Sequence, residues 1–202
     1  TLLMSQDYAQ EYAELAAAQK AGKPRTALTV AEAFYAKAVK AGDHDHAVKA
    51  LAHRLTYLGE VEENGRDAAI RLLHAELANA PNQTVISPIL HYMLGSSYYN
   101  YARQNSYRLR NTPAATTDSV PPAARPLEDW NLQQLKDAAE SHLYQALDLA
   151  RSQKTTLATI PAIVSGDNER INERPTLYDL LARKSLSLLS SPLLTVTDPE
   201  VP

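Results

Sequence analysis

The residues best suited to metal chemistry in this sequence stand together at His44-Asp45-His46. Imidazole and carboxylate groups are common metal ligands, but a ligand set on one helix needs residues three or four positions apart. The two histidines lie two positions apart, so their side chains diverge on a helix. We therefore predict a solvated first helical turn capped by Asp43, and no metal site in the chain.

Tyrosines and arginines between positions 92 and 110 are the best candidates for binding a partner. Aromatic residues at helical spacing ordinarily fill a core, whereas an exposed subset can line a peptide-binding groove on a concave helical face. The arginines can grip an anion, or they can pack on aromatic rings and pair with Glu128 and Asp129. The candidate binding residues are Tyr92, Tyr99, Tyr107, Arg108 and Arg110.

Catalytic motifs are missing from the sequence. There is no Gly-x-Ser-x-Gly elbow, no His-Glu-x-x-His pair and no phosphate-cradling glycine loop. Because cysteine is absent, the chain has no thiol nucleophile and no disulfide, and its formal net charge of -3 gives no electrostatic basis for binding nucleic acid. We predict a protein that is not an enzyme and needs no cofactor. An enzyme would require buried carboxylates or histidines with perturbed pKa values clustered in a pocket.

The elements that must position these residues are helices. Apolar residues recur at helical spacing, and Gly22, Gly42 and Asn64-Gly65 interrupt the pattern. Helix starts near 5, 24, 43, 65 and 87 are about twenty residues apart, so helix pairs repeat at roughly forty. The segment Leu94-Gly95-Ser96-Ser97-Tyr98 resembles the Leu-Gly-x-x-Tyr core of tetratricopeptide (TPR) repeats, in which the glycine lets the neighbouring helix approach closely. The sequence predicts an all-α fold of about seven helices, arranged as TPR-like antiparallel pairs in a right-handed solenoid.

Proline clusters and chain ends set the predicted domain limits. Four prolines fall in residues 111–126, which cannot continue a helix and form a predicted loop. We predict one helical domain over residues 1–191 and an extended tail or linker over 192–202, leading toward downstream domains. No apolar run approaches the roughly 20 residues of a membrane-spanning helix, so no direct membrane span is expected.

The segment 176–189 carries the clearest local signal in the chain. Pro175 disfavours helix before it, Thr176 can cap the helix start, and Asp179 completes a variant of the capping box. The following leucines fall on one face of the predicted amphipathic helix: Leu177, Leu180, Leu181 and Leu188.

The string Arg-Pro-Thr-Leu-Tyr-Asp-x-Leu-Ala at 174–182 also resembles a signature in the N-terminal helical region of very large alpha-2-macroglobulin-like proteins of the Bacteroidetes. Residues 24–28, residues 98–108 and the pair Asp129-Trp130 resemble segments of the same family in the same order. The similarity extends over residues 8–190. The loop at 111–126 is a departure from the family pattern.

This resemblance implies a non-catalytic scaffold or interaction module at the N-terminus of a large exported protein, periplasmic or outer-membrane-attached, whose full-length chain traps proteases. We expect the present chain to be a fragment of such a protein. The implied partners are downstream domains of the same chain or another envelope protein. The alternative is a free-standing TPR-like peptide-binding adaptor of the cell envelope, and an exposed face formed by Tyr92, Tyr99 and Arg108 would favour it.

Overall fold

A computed structural model describes residues 7–79, 85–110, 126–164 and 175–191 of the chain. These residues are almost entirely helical and contain no β-strand, although an isolated antiparallel bridge joins Thr156 and Thr176. The all-α prediction is therefore confirmed for the described part of the chain. The predicted proline-rich loop (apart from Pro126) and the predicted tail at 192–202 lie outside the described residues.

Helix starts predicted near 24, 43, 65 and 87 are confirmed to within one residue. Gly42 ends the second helix in the left-handed region at φ 69°, and the Asp43 side chain accepts a hydrogen bond from the backbone N–H of His46 to cap the third. The helices among the described residues are α1 (Ala9–Lys20), α2 (Pro24–Ala41), α3 (His44–Val61), α4 (Gly65–Asn79), α5 (Ile86–Gln104), α6 (Ser106–Arg110), α7 (Leu132–Gln153), α8 (Pro161–Val164) and α9 (Leu177–Leu189).

The helices are grouped into two compact units. Among the described residues, the first unit comprises 7–69 and 157–164. The second comprises 70–79, 85–110, 126–156 and 175–191. The single domain expected over residues 1–191 stays a prediction, and each unit has a core of its own.

The first unit is built on the small-residue face of α2. Ala27, Ala31 and Phe34 are fully buried on that face, and the Phe34 ring centroid lies 5.1 Å from that of Tyr8. Asp45 on α3 accepts a hydrogen bond from the backbone N–H of Ile163 at 2.9 Å. This bond attaches α8 to the start of α3, although the two segments are far apart in sequence.

The second unit is organised around the pairing of α5 with α7. A Cβ atom at Gly95 would lie 2.7 Å from Leu143 Cγ and 3.0 Å from the Ala139 carbonyl oxygen, so only glycine fits without movement of α7. The prediction that this glycine lets a neighbouring helix approach closely is confirmed. Leu94 and Leu143 are fully buried beside it.

The last helix, α9, also packs against α5 and α7. Thr176 and Asp179 form the predicted capping box, with the Asp179 N–H donating to Thr176 Oγ1 at 3.1 Å. Leu177 and Leu181 are buried, as the leucine stripe indicates, whereas Leu180 and Leu188 are half-buried. Local capping thus fixes where α9 begins, and the buried leucines fix which face turns inward.

We expect Gly95→Ala to lower the free energy of unfolding by about 1–2 kcal/mol, because the added methyl overpacks the α5–α7 contact by more than its gain in helix propensity. Gly59→Ala on α3 is the matched control. Nothing lies within 4 Å of a Cβ at Gly59, so this change should stabilise the protein by up to about 1 kcal/mol. Urea unfolding followed by circular dichroism measures both changes. Equal stability of the two variants would contradict the close approach.

Candidate functional site

The structure places the predicted tyrosines in three different environments. Tyr99 on α5 is buried, and its hydroxyl donates a hydrogen bond to Ser191 Oγ at 2.8 Å. Tyr92 on the same helix is half-buried, and burial raises the pKa of its hydroxyl. Tyr107 on α6 is 86% exposed. Of these three, Tyr107 alone offers most of its ring to a partner.

The predicted arginines lie on α6, beside Tyr107. Arg108 Nη1 donates to the Glu128 carbonyl oxygen at 2.8 Å, and Nη2 donates to the Tyr101 hydroxyl at 3.2 Å. The guanidinium therefore holds α6 against α5 and against the 3-10 turn Leu127–Asp129. Arg110 is the last residue of α6, and its side chain lies outside the described part of the structure.

An exposed face formed by Tyr92, Tyr99 and Arg108 is not present, because Tyr99 is buried and Arg108 is bonded to its neighbours. Tyr99 is a packing residue, which was the ordinary expectation for an aromatic stripe. Tyr107 and Arg108 remain together at the surface, one exposed and the other anchored. The candidate contact surface therefore reduces to α6.

The His44-Asp45-His46 triplet has a structural role in the first unit. Asp43 Oδ1 accepts from the His46 backbone N–H at 3.1 Å, and Asp43 Oδ2 lies 3.0 Å from His46 Nδ1. Asp45 is buried and bonded to Ile163, while His44 is exposed. The three side chains thus point to different neighbours. Within the described ranges, no group of three histidines or carboxylates is arranged to hold a metal ion.

A cluster of three histidines that the sequence did not indicate lies in the second unit. His74 comes from α4, His91 from α5 and His142 from α7. The Nδ1 atoms of His91 and His142 are 2.9 Å apart, which is hydrogen-bonding distance. The ring centroid of His142 lies 5.1 Å from that of His91 and 5.5 Å from that of His74. We call these three residues the histidine cluster.

Two aromatic side chains, Tyr98 and Trp130, form an aromatic shell beside the histidine cluster. Tyr98 stacks on His142 at 6.0 Å and on Trp130 at 5.3 Å, and the Tyr98 hydroxyl lies 2.8 Å from His74 Nε2. Burial, together with the neighbouring imidazoles of His91 and His74, lowers the pKa of His142 to about 4. Burial also lowers the pKa values of His91 and His74. All three rings are therefore neutral at neutral pH.

One signal in the sequence could have indicated these histidines. Each lies on the apolar stripe of its helix: His74 four residues after Ile70, His91 seven before Tyr98, and His142 three after Ala139. A histidine on an apolar stripe is expected to be buried and neutral. The pattern of one helix cannot show that three such stripes converge.

The histidine cluster meets part of the requirement for an enzyme, namely histidines with perturbed pKa values, of which His91 is buried and His74 and His142 are half-buried. However, its identified nitrogens are engaged within the protein: His91 Nδ1 faces His142 Nδ1, and His74 Nε2 faces the Tyr98 hydroxyl. A general base needs a nitrogen within reach of a substrate proton. This arrangement instead joins three helices through polar contacts inside an aromatic shell.

A small cleft opens in the first unit beside the α1–α2 turn. Its volume is about 170 Å³, below the roughly 300–1,000 Å³ of typical ligand pockets. His53 and Tyr57 stack in its wall, and Lys23 and Glu60 place opposite charges around it. Size and mixed charge give no indication of a particular ligand.

The described helices do not include one long and apolar enough to cross a membrane. Comparison of the chain with protein-family models, curated protein sequences and solved structures finds no match. Function must therefore be argued from the contacts described above and from the resemblance noted in the sequence.

We expect Tyr99→Phe to lower the free energy of unfolding by about 1 kcal/mol, because it removes a half-buried hydrogen bond and leaves Ser191 Oγ without that donor. Tyr144→Phe is the matched control, because Tyr144 is 57% exposed and the change should alter stability by less than about 0.5 kcal/mol. Urea unfolding provides the comparison. A neutral Tyr99→Phe would contradict a stabilising contribution from the hydrogen bond to Ser191.

Proposed function

We propose that this chain is a non-catalytic helical interaction and scaffold module at the N-terminus of a large exported alpha-2-macroglobulin-like protein, periplasmic or outer-membrane-attached. In this proposal the helices form TPR-like antiparallel pairs in a right-handed solenoid, and the full-length protein traps proteases. The ordered set of family-like segments supports the membership. The glycine-mediated contact of α5 with α7 supports TPR-like packing, because the Leu-Gly-x-x-Tyr segment uses its glycine in this way.

The observation that carries an interaction function is the exposed ring of Tyr107 on a fixed support. Arg108 anchors α6 through two hydrogen bonds, and the adjacent Leu109 is 2% exposed, so the helix is held from both sides. Tyrosine and arginine are enriched at the energetic centres of protein interfaces. Because α6 is already ordered, binding at Tyr107 would require little additional ordering of the protein.

A non-catalytic role is supported by how the chain uses its histidines. The histidine cluster is engaged internally, and His46 and Asp45 serve helix capping and helix attachment. These histidine and carboxylate side chains thus have structural partners. The proposed partners are downstream domains of the same protein or another envelope protein, and the competing proposal is a free-standing peptide-binding adaptor.

The size of the native protein distinguishes these two proposals. An antibody raised against the 22.2 kDa chain is used to blot a cell-envelope fraction of the producing cells. A band many times larger is the result expected for an N-terminal module of a macroglobulin-like protein. A band near 22.2 kDa would exclude that assignment and favour the free-standing adaptor.

A photo-crosslinking amino acid at Tyr107 tests the contact surface in the native protein. We expect irradiation to join α6 to a downstream domain or to an envelope protein, giving a discrete adduct that mass spectrometry can assign. The same replacement at Tyr144 on α7 is the control, because that tyrosine is also exposed, at 57%. Equal adducts from both positions, or none from Tyr107, would contradict the role of α6.

A further inference from the structure

The hydrogen bond between His91 and His142 restricts how many protons the histidine cluster can bind. His91 Nδ1 and His142 Nδ1 are 2.9 Å apart, so one nitrogen must carry the hydrogen and the other must accept it. A single added proton can be taken by the donor ring at its other nitrogen. Adding a proton to both rings would bring two N–H groups head to head at this distance and break the bond.

The third ring restricts protonation further. His74 lies 5.5 Å from His142, between centroids, and its Nε2 contacts the Tyr98 hydroxyl. A second positive charge in the cluster would therefore lie next to the first. At such distances, inside an aromatic shell, like charges repel more strongly than in water.

The aromatic rings that contact the histidine cluster carry no charge that could compensate an added proton. The groups that face the histidine cluster are His74 from α4, His91 and Tyr98 from α5, and His142 from α7, with Trp130 stacked behind Tyr98. The causes of the lowered pKa of His142 are burial and the other two histidines. Burial is the first cause of the lowered pKa of each of the three histidines.

We propose that the histidine cluster is an acid-sensitive latch of the second unit, which joins α4, α5 and α7 while its rings are neutral and loosens their packing when they are protonated. The latch depends on contacts between three helices and not on what the chain binds. It is therefore independent of the proposed interaction function and can fail or succeed separately from it.

The direction of the pH effect follows from proton linkage. The folded-state pKa of His142, about 4, is below the ordinary value of 6.5, so the unfolded chain binds its proton first as pH falls. The stability is fully present above pH 6.5 and is lost as pH decreases toward 4. One such histidine raises the unfolding equilibrium constant by up to about tenfold per pH unit in this window, which is about fifteenfold between pH 6.5 and pH 5 and about thirtyfold between pH 7.5 and pH 5.

Trp130 is the single tryptophan of the chain and stacks on Tyr98, so its fluorescence reports on the second unit beside the histidine cluster. Urea unfolding is followed by this signal from pH 7.5 to pH 5, above the range in which ordinary carboxylates dominate. We expect the unfolding equilibrium constant of the wild-type protein to rise at least about thirtyfold.

The test variant is His91→Asn/His142→Asn, because an asparagine amide can occupy the position of an Nδ1 donor or acceptor but cannot be protonated in this range. Over the same pH range, we expect the unfolding equilibrium constant of this variant to rise at least about thirtyfold less than that of the wild-type protein. His44→Asn is the control, since His44 is exposed and belongs to the first unit. It should keep the wild-type pH dependence. An unchanged dependence in the double variant would overturn the latch.

The wild-type protein supplies a second test if the double variant does not fold. Imidazole Hε1 resonances, assigned by NMR, report the protonation of each ring directly. We expect His142 to titrate near pH 4, with His91 and His74 below their ordinary range and dependent on it. Titration of His142 at an ordinary midpoint near 6.5 in the folded protein would overturn the proposal.

Discussion

The close approach of α5 and α7 at Gly95 is the contact on which the second unit depends. Leu143 and the Ala139 carbonyl oxygen occupy the space that any larger residue would need. His142 precedes Leu143, and His91 lies one helical turn before Gly95, so the approach that seats Leu143 also brings the two rings to 2.9 Å. A wider separation of these helices would leave both imidazoles without the hydrogen bond that joins them.

That contact explains how three polar rings are tolerated among apolar neighbours. Buried polar groups reduce stability unless they are hydrogen-bonded. In the histidine cluster, the Nδ1 atoms of His91 and His142 bond to each other, and His74 Nε2 bonds to the Tyr98 hydroxyl. The arrangement is stable only while the rings are neutral. Side chains that elsewhere perform acid–base chemistry here connect helices, and their response to protons becomes a property of the packing.

The candidate contact surface on α6 differs from the histidine cluster in that it is exposed. Arg108 uses its guanidinium to fix α6, and Tyr107 extends from that fixed helix into solvent. Burial of Tyr99 removes the broader aromatic face that a peptide-binding adaptor would use. What is left is a small anchored contact, which suits docking to a folded domain more than enclosing an extended peptide. The proposed module within a larger envelope protein is consistent with such a contact.

The sequence by itself determined most of the long helices and several of their ends, although α1 begins at Ala9 and not near residue 5, and the short helices α6 and α8 were not predicted. Gly42, Asp43, Thr176 and Asp179 act within about four residues along the chain, so local rules were sufficient to predict them. Gly95 was also predictable as a site of close approach. Helical periodicity identifies which face is buried, but it does not identify the face that meets it.

Only the tertiary structure decided the long-range pairs. His91 and His142 are 51 residues apart in sequence, and Tyr99 and Ser191 are 92 residues apart. The division of the described helices into two compact units likewise depends on which faces meet. Such pairings follow from side-chain shape and burial summed over several helices, and no local spacing encodes them. The helices were thus readable from the sequence, whereas the histidine cluster became visible only when three helices were packed together.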